Sequence, residues 1–194
     1  MLPLFCSPDV SAALIALSIP VHAASSSPWA HDTRSGVRLV AARPIVHAGT
    51  VILRAGIEFK LHTGWWTYGC DPGDSGVPPH IDFNASENVK SISVLWPKPE
   101  RFNDGGAFFL GYKEGIVLPV HIAPRDSRKP VTLRLKLDYA ICETICVPSK
   151  AEVNLAFSRR DGAAFNAVVA AAEARVPNPP QECLRPGDKW AIPQ

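Results

Sequence analysis

Two cysteines, Cys142 and Cys146, separate two stretches in which apolar and polar residues alternate. Residues 131–141 and 151–157 both follow this pattern, which is typical of strands with one buried face. Four residues of straight strand span roughly 13 Å, whereas a disulfide needs Cα atoms about 4.4–6.8 Å apart. If the two cysteines are bridged, the chain must turn at residues 143–145, and a three-residue hairpin loop would set them opposite each other. The alternation places Cys142 on the wetter face of its strand.

The rest of the chain also favours an all-β protein. Nineteen prolines and thirteen glycines lie among short runs rich in Val, Ile, Leu and aromatic residues, a composition typical of many strands joined by turns. Further strands are predicted at residues 37–40, 50–61 (with a bulge near Gly56), 65–68, 81–83, 89–96 and 116–122. Residues 97–111 are predicted to form a loop. At 194 residues, the chain is long enough for one well-packed domain.

A short helix is predicted near the C-terminal end. Asp161 could cap it, and Pro177 would stop it. Its apolar stripe would consist of Phe165, Val168, Val169, Ala172 and Val176. The expected organisation is therefore a flexible lead-in at residues 24–36, a β-sandwich at residues 37–160, and a helix with a Pro-rich tail at residues 161–194.

Residues 1–23 resemble a secretory signal peptide. An apolar run at residues 11–21 precedes small residues at the positions that a signal peptidase reads. The run is much shorter than the roughly 20 residues that a spanning helix needs. Export is expected, with no stable membrane insertion of the mature chain.

Charge and motif content exclude several classes of function. The net charge is +2, and the basic and acidic residues are interspersed, so a nucleic-acid partner is not expected. The chain has no Gly-x-Ser-x-Gly motif and no evident carboxylate pair, which argues against a hydrolase. The histidines at 31, 47, 62, 80 and 121 are not closely paired and the chain has one methionine, so neither a metal site nor a cofactor is predicted.

The spacing of Cys142 and Cys146 leaves two interpretations open. A structural staple is the ordinary role of a disulfide in an exported domain. However, closing a five-residue ring contributes only about 2 kcal/mol, against roughly 4–5 kcal/mol for a bridge across a long loop. The position is a poor choice for stability and is better suited to thiol-disulfide exchange.

Three stretches together resemble the amino-terminal periplasmic domain of thiol:disulfide interchange proteins of the DsbD and ScsB type. The resemblance covers about residues 37–157. The stretches are Gly64-Trp65-Trp66-Thr67-Tyr68 with residues 71–76 and Pro78-Pro79; residues 94–97 with 99–102, Gly111-Tyr112 and residues 117–119; and residues 133–139 with Cys142, Cys146, Val147 and Pro148.

The resemblance implies an immunoglobulin-like sandwich acting as a periplasmic oxidoreductase of the protein-disulfide reductase type. Cys142 and Cys146 would be the reacting pair. They would relay electrons from a membrane-embedded or thioredoxin-like reductase to periplasmic acceptor proteins, with a possible link to cytochrome c maturation or copper stress. The resemblance also implies a cap loop over the pair, formed by Asn103, Asp104, Phe108 and Phe109. Phe108 or Phe109 would be the shield, and a core position is the alternative for each.

Some alternatives remain open from the sequence. Cys70 is peculiar to this chain within the resemblance; it could bond Cys183, stay free or pair with another chain, and four mature cysteines allow three complete pairings. The domain could instead be an exported binding module with a permanent disulfide, contacting a partner through Trp65, Trp66 or Trp96, although core packing is favoured for these tryptophans. A copper-handling protein is a third possibility.

Overall fold

The structure is a computed structural model that describes residues 25–73, 76–104, 107–180 and Cys183. The predicted signal segment at residues 1–23 lies outside these residues, as does most of the predicted tail. Eleven strands and one helix occur in the described part of the chain. They are β1 (Ala30–His31), β2 (Ser35–His47), β3 (Thr50–Leu61), β4 (Trp66–Gly73), β5 (His80–Asp82), β6 (Val89–Val94), β7 (Glu100–Asp104), β8 (Ala107–Lys113), β9 (Gly115–Pro124), β10 (Val131–Cys142), β11 (Cys146–Phe157) and α1 (Asn166–Glu173).

The strands form two antiparallel sheets that pack against each other. One sheet has the order β1-β2-β3-β9-β6, and the other has the order β11-β10-β4-β8-β7, with β5 pairing to β10. Inward side chains of both sheets form one apolar core, because alternate residues of each strand point to the same face. Its fully buried members include Leu39, Ile57, Leu118, Leu133 and Phe157. The predicted all-β, immunoglobulin-like sandwich with a short C-terminal helix is confirmed.

The β10–β11 hairpin confirms the turn predicted at residues 143–145. Val131 lies opposite Phe157 at its open end, and Cys142 lies opposite Cys146 at its closed end. The register is unbroken between these two pairs. The hairpin therefore sets both cysteines at its tip, and β11 is the terminal strand of its sheet.

The bulge predicted near Gly56 is wrong in its position. Gly56 pairs regularly with Val40, and the register of β2 and β3 shifts between Ala42 and Ile45 instead. A Cβ at Gly56 would lie 2.7 Å from Val117 Cγ1 and 3.3 Å from a methyl group of Val169 on α1. The glycine therefore allows α1 to approach the outer face of the five-stranded sheet.

The loop predicted at residues 97–111 contains two paired strands, β7 and β8. Asp104 pairs with Ala107, so only residues 105–106 separate the two strands. Two adjacent glycines between two short stretches of strand-forming residues are typical of a hairpin turn, so the prediction of a loop at residues 97–111 is wrong.

The helix is shorter than predicted, and Asp161 does not cap it. The Asp161 carboxylate accepts hydrogen bonds from the amide and the hydroxyl of Ser158, each at 2.7 Å. This local bond competes with capping, and α1 begins only at Asn166. Val169 and Ala172 are buried, whereas Val168 is 43% exposed, so only part of the predicted stripe packs on the sheet.

Arg54 anchors α1 through a buried polar network. Its guanidinium donates to both carboxylate oxygens of Glu173, to Asn166 Oδ1 at 3.2 Å and to the carbonyl of Arg43 at 3.1 Å. Glu173 also contacts His121 Nε2 at 2.8 Å. Since Arg54 is only 5% exposed, these contacts satisfy a charge that would otherwise be costly to bury.

Part of the segment assigned to a flexible lead-in hydrogen-bonds along β2. The amide of Ala41 donates to the Ser25 carbonyl at 2.8 Å, and the amide of Leu39 donates to Ser27 Oγ at 2.9 Å. Strand β2 itself begins at Ser35, two residues before the predicted start of the sandwich.

Candidate functional site

Cys142 and Cys146 form a disulfide at the closed end of the β10–β11 hairpin. Their Cα atoms are 4.1 Å apart and the S–S distance is 2.03 Å. Between them, the amide of Glu143 donates to the carbonyl of Ile145 at 3.2 Å. The bridge is thus held by a short turn rather than by distant parts of the chain.

The two cysteines differ sharply in exposure. Cys142 is 1% exposed, whereas Cys146 is exposed. The prediction that Cys142 lies on the wetter face is wrong: it shares a face with Ala140, but side chains from β4 and β8 cover that face at this end of the strand. A molecule arriving from solvent therefore meets Cys146 first.

Cys142 is buried in a cluster with four aromatic side chains, and we call these the aromatic shield: Trp66, Tyr68, Phe102 and Phe109. Trp66 lies opposite Cys142 in the pairing of β4 with β10. Its ring stacks on Phe109 with centroids 3.9 Å apart, and Phe102 stacks on Phe109 at 5.1 Å. Tyr68 meets the Trp66 ring edge-on at 4.8 Å. Such stacked and edge-on contacts add to the stabilisation from burial.

The structure separates the four residues of the expected cap loop. Phe109 is 9% exposed and belongs to the aromatic shield. Phe108 lies outside it, 4.1 Å below the guanidinium of Arg101. Asn103 is exposed and lies opposite Phe108 in the β7–β8 hairpin, and the backbone of Asp104 pairs with that of Ala107.

Tyr68 contacts the pair directly, which sequence reasoning did not identify. Its hydroxyl lies 3.5 Å from Cys146 Sγ. Burial raises the pKa of Tyr68, so the phenol stays protonated near neutral pH and can donate a hydrogen bond to sulfur. The available signal was the spacing from Trp66, because residues two apart on a strand share a face.

The comparisons with known proteins agree with this geometry. The family model for the N-terminal part of thiol:disulfide interchange protein DsbD matches residues 40–158. The chain belongs to the DsbD N-terminal family. This confirms the resemblance found in the sequence.

A solved structure of the family is also similar to the chain. It is the N-terminal periplasmic domain of ScsB from Proteus mirabilis, with 26% sequence identity and a TM-score of 0.61. The match covers 79% of this chain and 60% of that chain. No curated protein sequence matches significantly.

This member of the DsbD N-terminal family has a second disulfide, between Cys70 and Cys183. The Cα atoms are 5.4 Å apart, and the two residues are 113 positions apart in sequence. Cys70 is 6% exposed and belongs to the main core. The bridge therefore ties the C-terminal segment to strand β4.

Two of the three tryptophans considered for partner contacts are buried. Trp66 is 9% exposed and Trp96 is 7% exposed, while Trp65 is partly buried.

In the described part of the chain, no helix has the length and apolar character needed to cross a membrane.

Proposed function

We propose that this protein is a periplasmic thiol-disulfide exchange module in which Cys142 and Cys146 relay electrons. The observation that carries the proposal is the unequal exposure of a short-range disulfide: Cys142 is buried under the aromatic shield and Cys146 is open to solvent. Exchange requires a thiolate to reach one sulfur along the S–S axis. In this arrangement, that sulfur is Cys146 Sγ.

The exchange can be written with atoms and electrons balanced. A thiolate of a reduced partner attacks Cys146 Sγ, which forms a mixed disulfide and releases Cys142 as a thiolate that takes up a proton. The partner's second thiol loses its proton and attacks the partner's own sulfur in the mixed disulfide, which releases Cys146 as a thiolate that takes up the second proton. Two electrons and two protons have then passed to the pair, and the partner is oxidised. The same steps in reverse reduce an acceptor disulfide.

Three features support the exchange role of the pair. Ile145, beside Cys146, is 69% exposed, and exposed apolar side chains are common at protein contacts. The Tyr68 hydroxyl is placed to donate to a thiolate on Cys146, and such a bond favours the charged form. The bridge closes a ring of only a few residues, so opening it takes away only about 2 kcal/mol from the fold.

The proposed partners are a membrane-embedded or thioredoxin-like reductase and periplasmic acceptor proteins. The family name supports thiol:disulfide interchange, and the similar ScsB domain is periplasmic by its description. The signal-like residues 1–23 support export of this chain.

The midpoint potential of the Cys142–Cys146 pair tests the proposal. The purified protein is equilibrated in glutathione or dithiothreitol buffers, free thiols are alkylated, and peptides covering each cysteine are quantified by mass spectrometry. We expect a value well above about −300 mV, below which exported structural bridges usually lie. A pair that stays oxidised below that value would instead indicate a permanent staple in a binding module.

A trapping experiment tests which sulfur is attacked. With Cys142→Ser, Cys146 has no resolving partner in the pair, and we expect it to accumulate a stable mixed disulfide with oxidised glutathione. Cys146→Ser is the matched control, since its remaining thiol at Cys142 is covered by the shield. Equal rates of adduct formation in the two variants would contradict the assignment of Cys146.

A further inference from the structure

Strand β4 is interrupted directly after Tyr68. Tyr68 lies opposite Gly111 on β8, and the next pair joins Gly73 to Phe109. Four residues of β4 therefore face a single residue of β8, which makes a large bulge. Cys70 lies in this bulge, so the second disulfide is attached two residues from the tyrosine that contacts the exchange pair.

The chain that follows the bulge packs on aromatic residues around the exchange pair. A Cβ built on Gly76 would lie 2.5 Å from Cε1 of the Tyr68 ring. A Cβ on Gly73 would lie 2.8 Å from the carbonyl oxygen of Phe108, the residue before the shield member Phe109. These close approaches place the bulge segment, residues 69–73 and 76, against one side of the aromatic shield.

The other end of the second disulfide follows a segment attached to the opposite sheet. Helix α1 is held on the five-stranded sheet by Arg54 and Glu173. After the helix, the carbonyl of Arg175 accepts a hydrogen bond from the amide of Lys98 at 2.8 Å. The next described cysteine, Cys183, packs against the main core. The bridge thus joins the bulge to a segment anchored outside its own sheet.

We propose that the Cys70–Cys183 disulfide positions the bulge segment and so sets the reactivity of the Cys142–Cys146 pair. The bulge residues lack regular backbone pairing with β8, so local opening of this segment is opposed by side-chain packing and by covalent restraint rather than by strand hydrogen bonds. The bridge restrains this opening by tying Cys70 to the C-terminal segment. Tyr68 then remains beside Cys146 Sγ and the shield remains closed over Cys142. The proposal rests on the proposed exchange role of Cys142 and Cys146.

The test compares the rate of reduction of the Cys142–Cys146 bridge in the intact protein and in the double variant Cys70→Ala/Cys183→Ala. Dithiothreitol is the reductant, aliquots are acid-quenched and alkylated, and each cysteine peptide is followed by mass spectrometry at a temperature well below unfolding. We expect the second-order rate constant to rise roughly three- to tenfold, because opening of the shield would let the reductant reach Cys142 Sγ as well as Cys146 Sγ. The pH profile of Cys146 alkylation should also move upward as Tyr68 leaves the sulfur.

Two further variants keep the test decisive. Leu53→Ala removes a buried side chain on β3 and controls for general loss of stability, so its rate constant should stay close to that of the intact protein. Gly76→Ala disturbs the contact with the Tyr68 ring without touching a cysteine, and it should reproduce the faster reduction even if the double variant does not fold.

The rate constants also separate this proposal from the proposed function. An unchanged rate constant in a folded Cys70→Ala/Cys183→Ala variant would overturn the positioning role of the bridge, and an unchanged rate constant in Gly76→Ala would overturn the role of the bulge segment through which it acts. A low midpoint potential of the intact pair would overturn the exchange role instead, whatever the ratio of the rate constants.

Discussion

The two disulfides should contribute very unequally to the free energy of unfolding. Cys70 and Cys183 are 113 residues apart, whereas Cys142 and Cys146 are 4 apart. Chain-entropy arithmetic gives about 4.8 kcal/mol for the long loop and about 2 kcal/mol for the short one. We therefore expect Cys70→Ala/Cys183→Ala to lose more than twice the stability lost by Cys142→Ala/Cys146→Ala. For a chain of this size, the long bridge corresponds to roughly 10–20 °C in Tm.

Guanidinium chloride titration of both double variants and of the oxidised protein measures this difference. The m-value provides an internal check, because an unfolded chain without the long crosslink exposes more surface and m should rise. The short-range pair is the matched control, since the same number of sulfur atoms is removed and m should hardly change. A loss for Cys142→Ala/Cys146→Ala that equals or exceeds that of the long-range pair would refute the reasoning.

The remaining predictions concern the tyrosine at the pair and the network under α1. Tyr68→Phe should raise the pKa of the Cys146 thiol in the reduced protein, because the thiolate loses a donor; the pH dependence of iodoacetamide alkylation measures the change. Arg54→Met should lower the free energy of unfolding by roughly 2–4 kcal/mol, because it leaves the Glu173 carboxylate poorly paired, while Arg54→Met/Glu173→Leu should recover part of this loss in urea titrations. Burial opposes ionisation of Glu173, but the contacts with Arg54 and His121 outweigh it and lower the pKa. The contribution of Glu173 to the free energy of unfolding should therefore be complete above its unfolded pKa of about 4.3, and it should be lost as the pH falls through its folded pKa. If the free energy of unfolding fell no more steeply with acid in the intact protein than in Glu173→Gln, this prediction would be contradicted.

Local alternation was sufficient to predict much of the sandwich. Strand β3 occupies residues 50–61 as predicted, and β10 extends the prediction by one residue, to Cys142. Both strands have one face in the core, so every second position must be apolar. The hairpin at residues 143–145 followed from the same alternation together with the reach of a disulfide.

The burial of Cys142 could not be predicted in this way. The alternation of side chains along a strand assigns each residue to one face of the sheet, but it does not tell which side chains of other strands cover that face. Trp66 and Phe109 cover it, and they come from strands that are distant in sequence. The pairing of Cys70 with Cys183 could not be predicted either, because it depends on the path of the chain after α1. The number of cysteines alone leaves three complete pairings open.

The position of β11 at the end of its sheet limits how a partner in the proposed exchange could approach Cys146. The terminal strand of a sheet invites strand addition from another chain, and the terminal strand β11 begins at Cys146. Pro148, opposite Ala140, has no N–H to donate, so it weakens backbone pairing two residues from Cys146. A partner can therefore gain little from a shared sheet at this point. In the proposed exchange, its affinity would come from side chains such as the exposed Ile145 and from the transient disulfide itself. Such a contact would favour release once the sulfur exchange is complete, as the proposed relay between two partners requires.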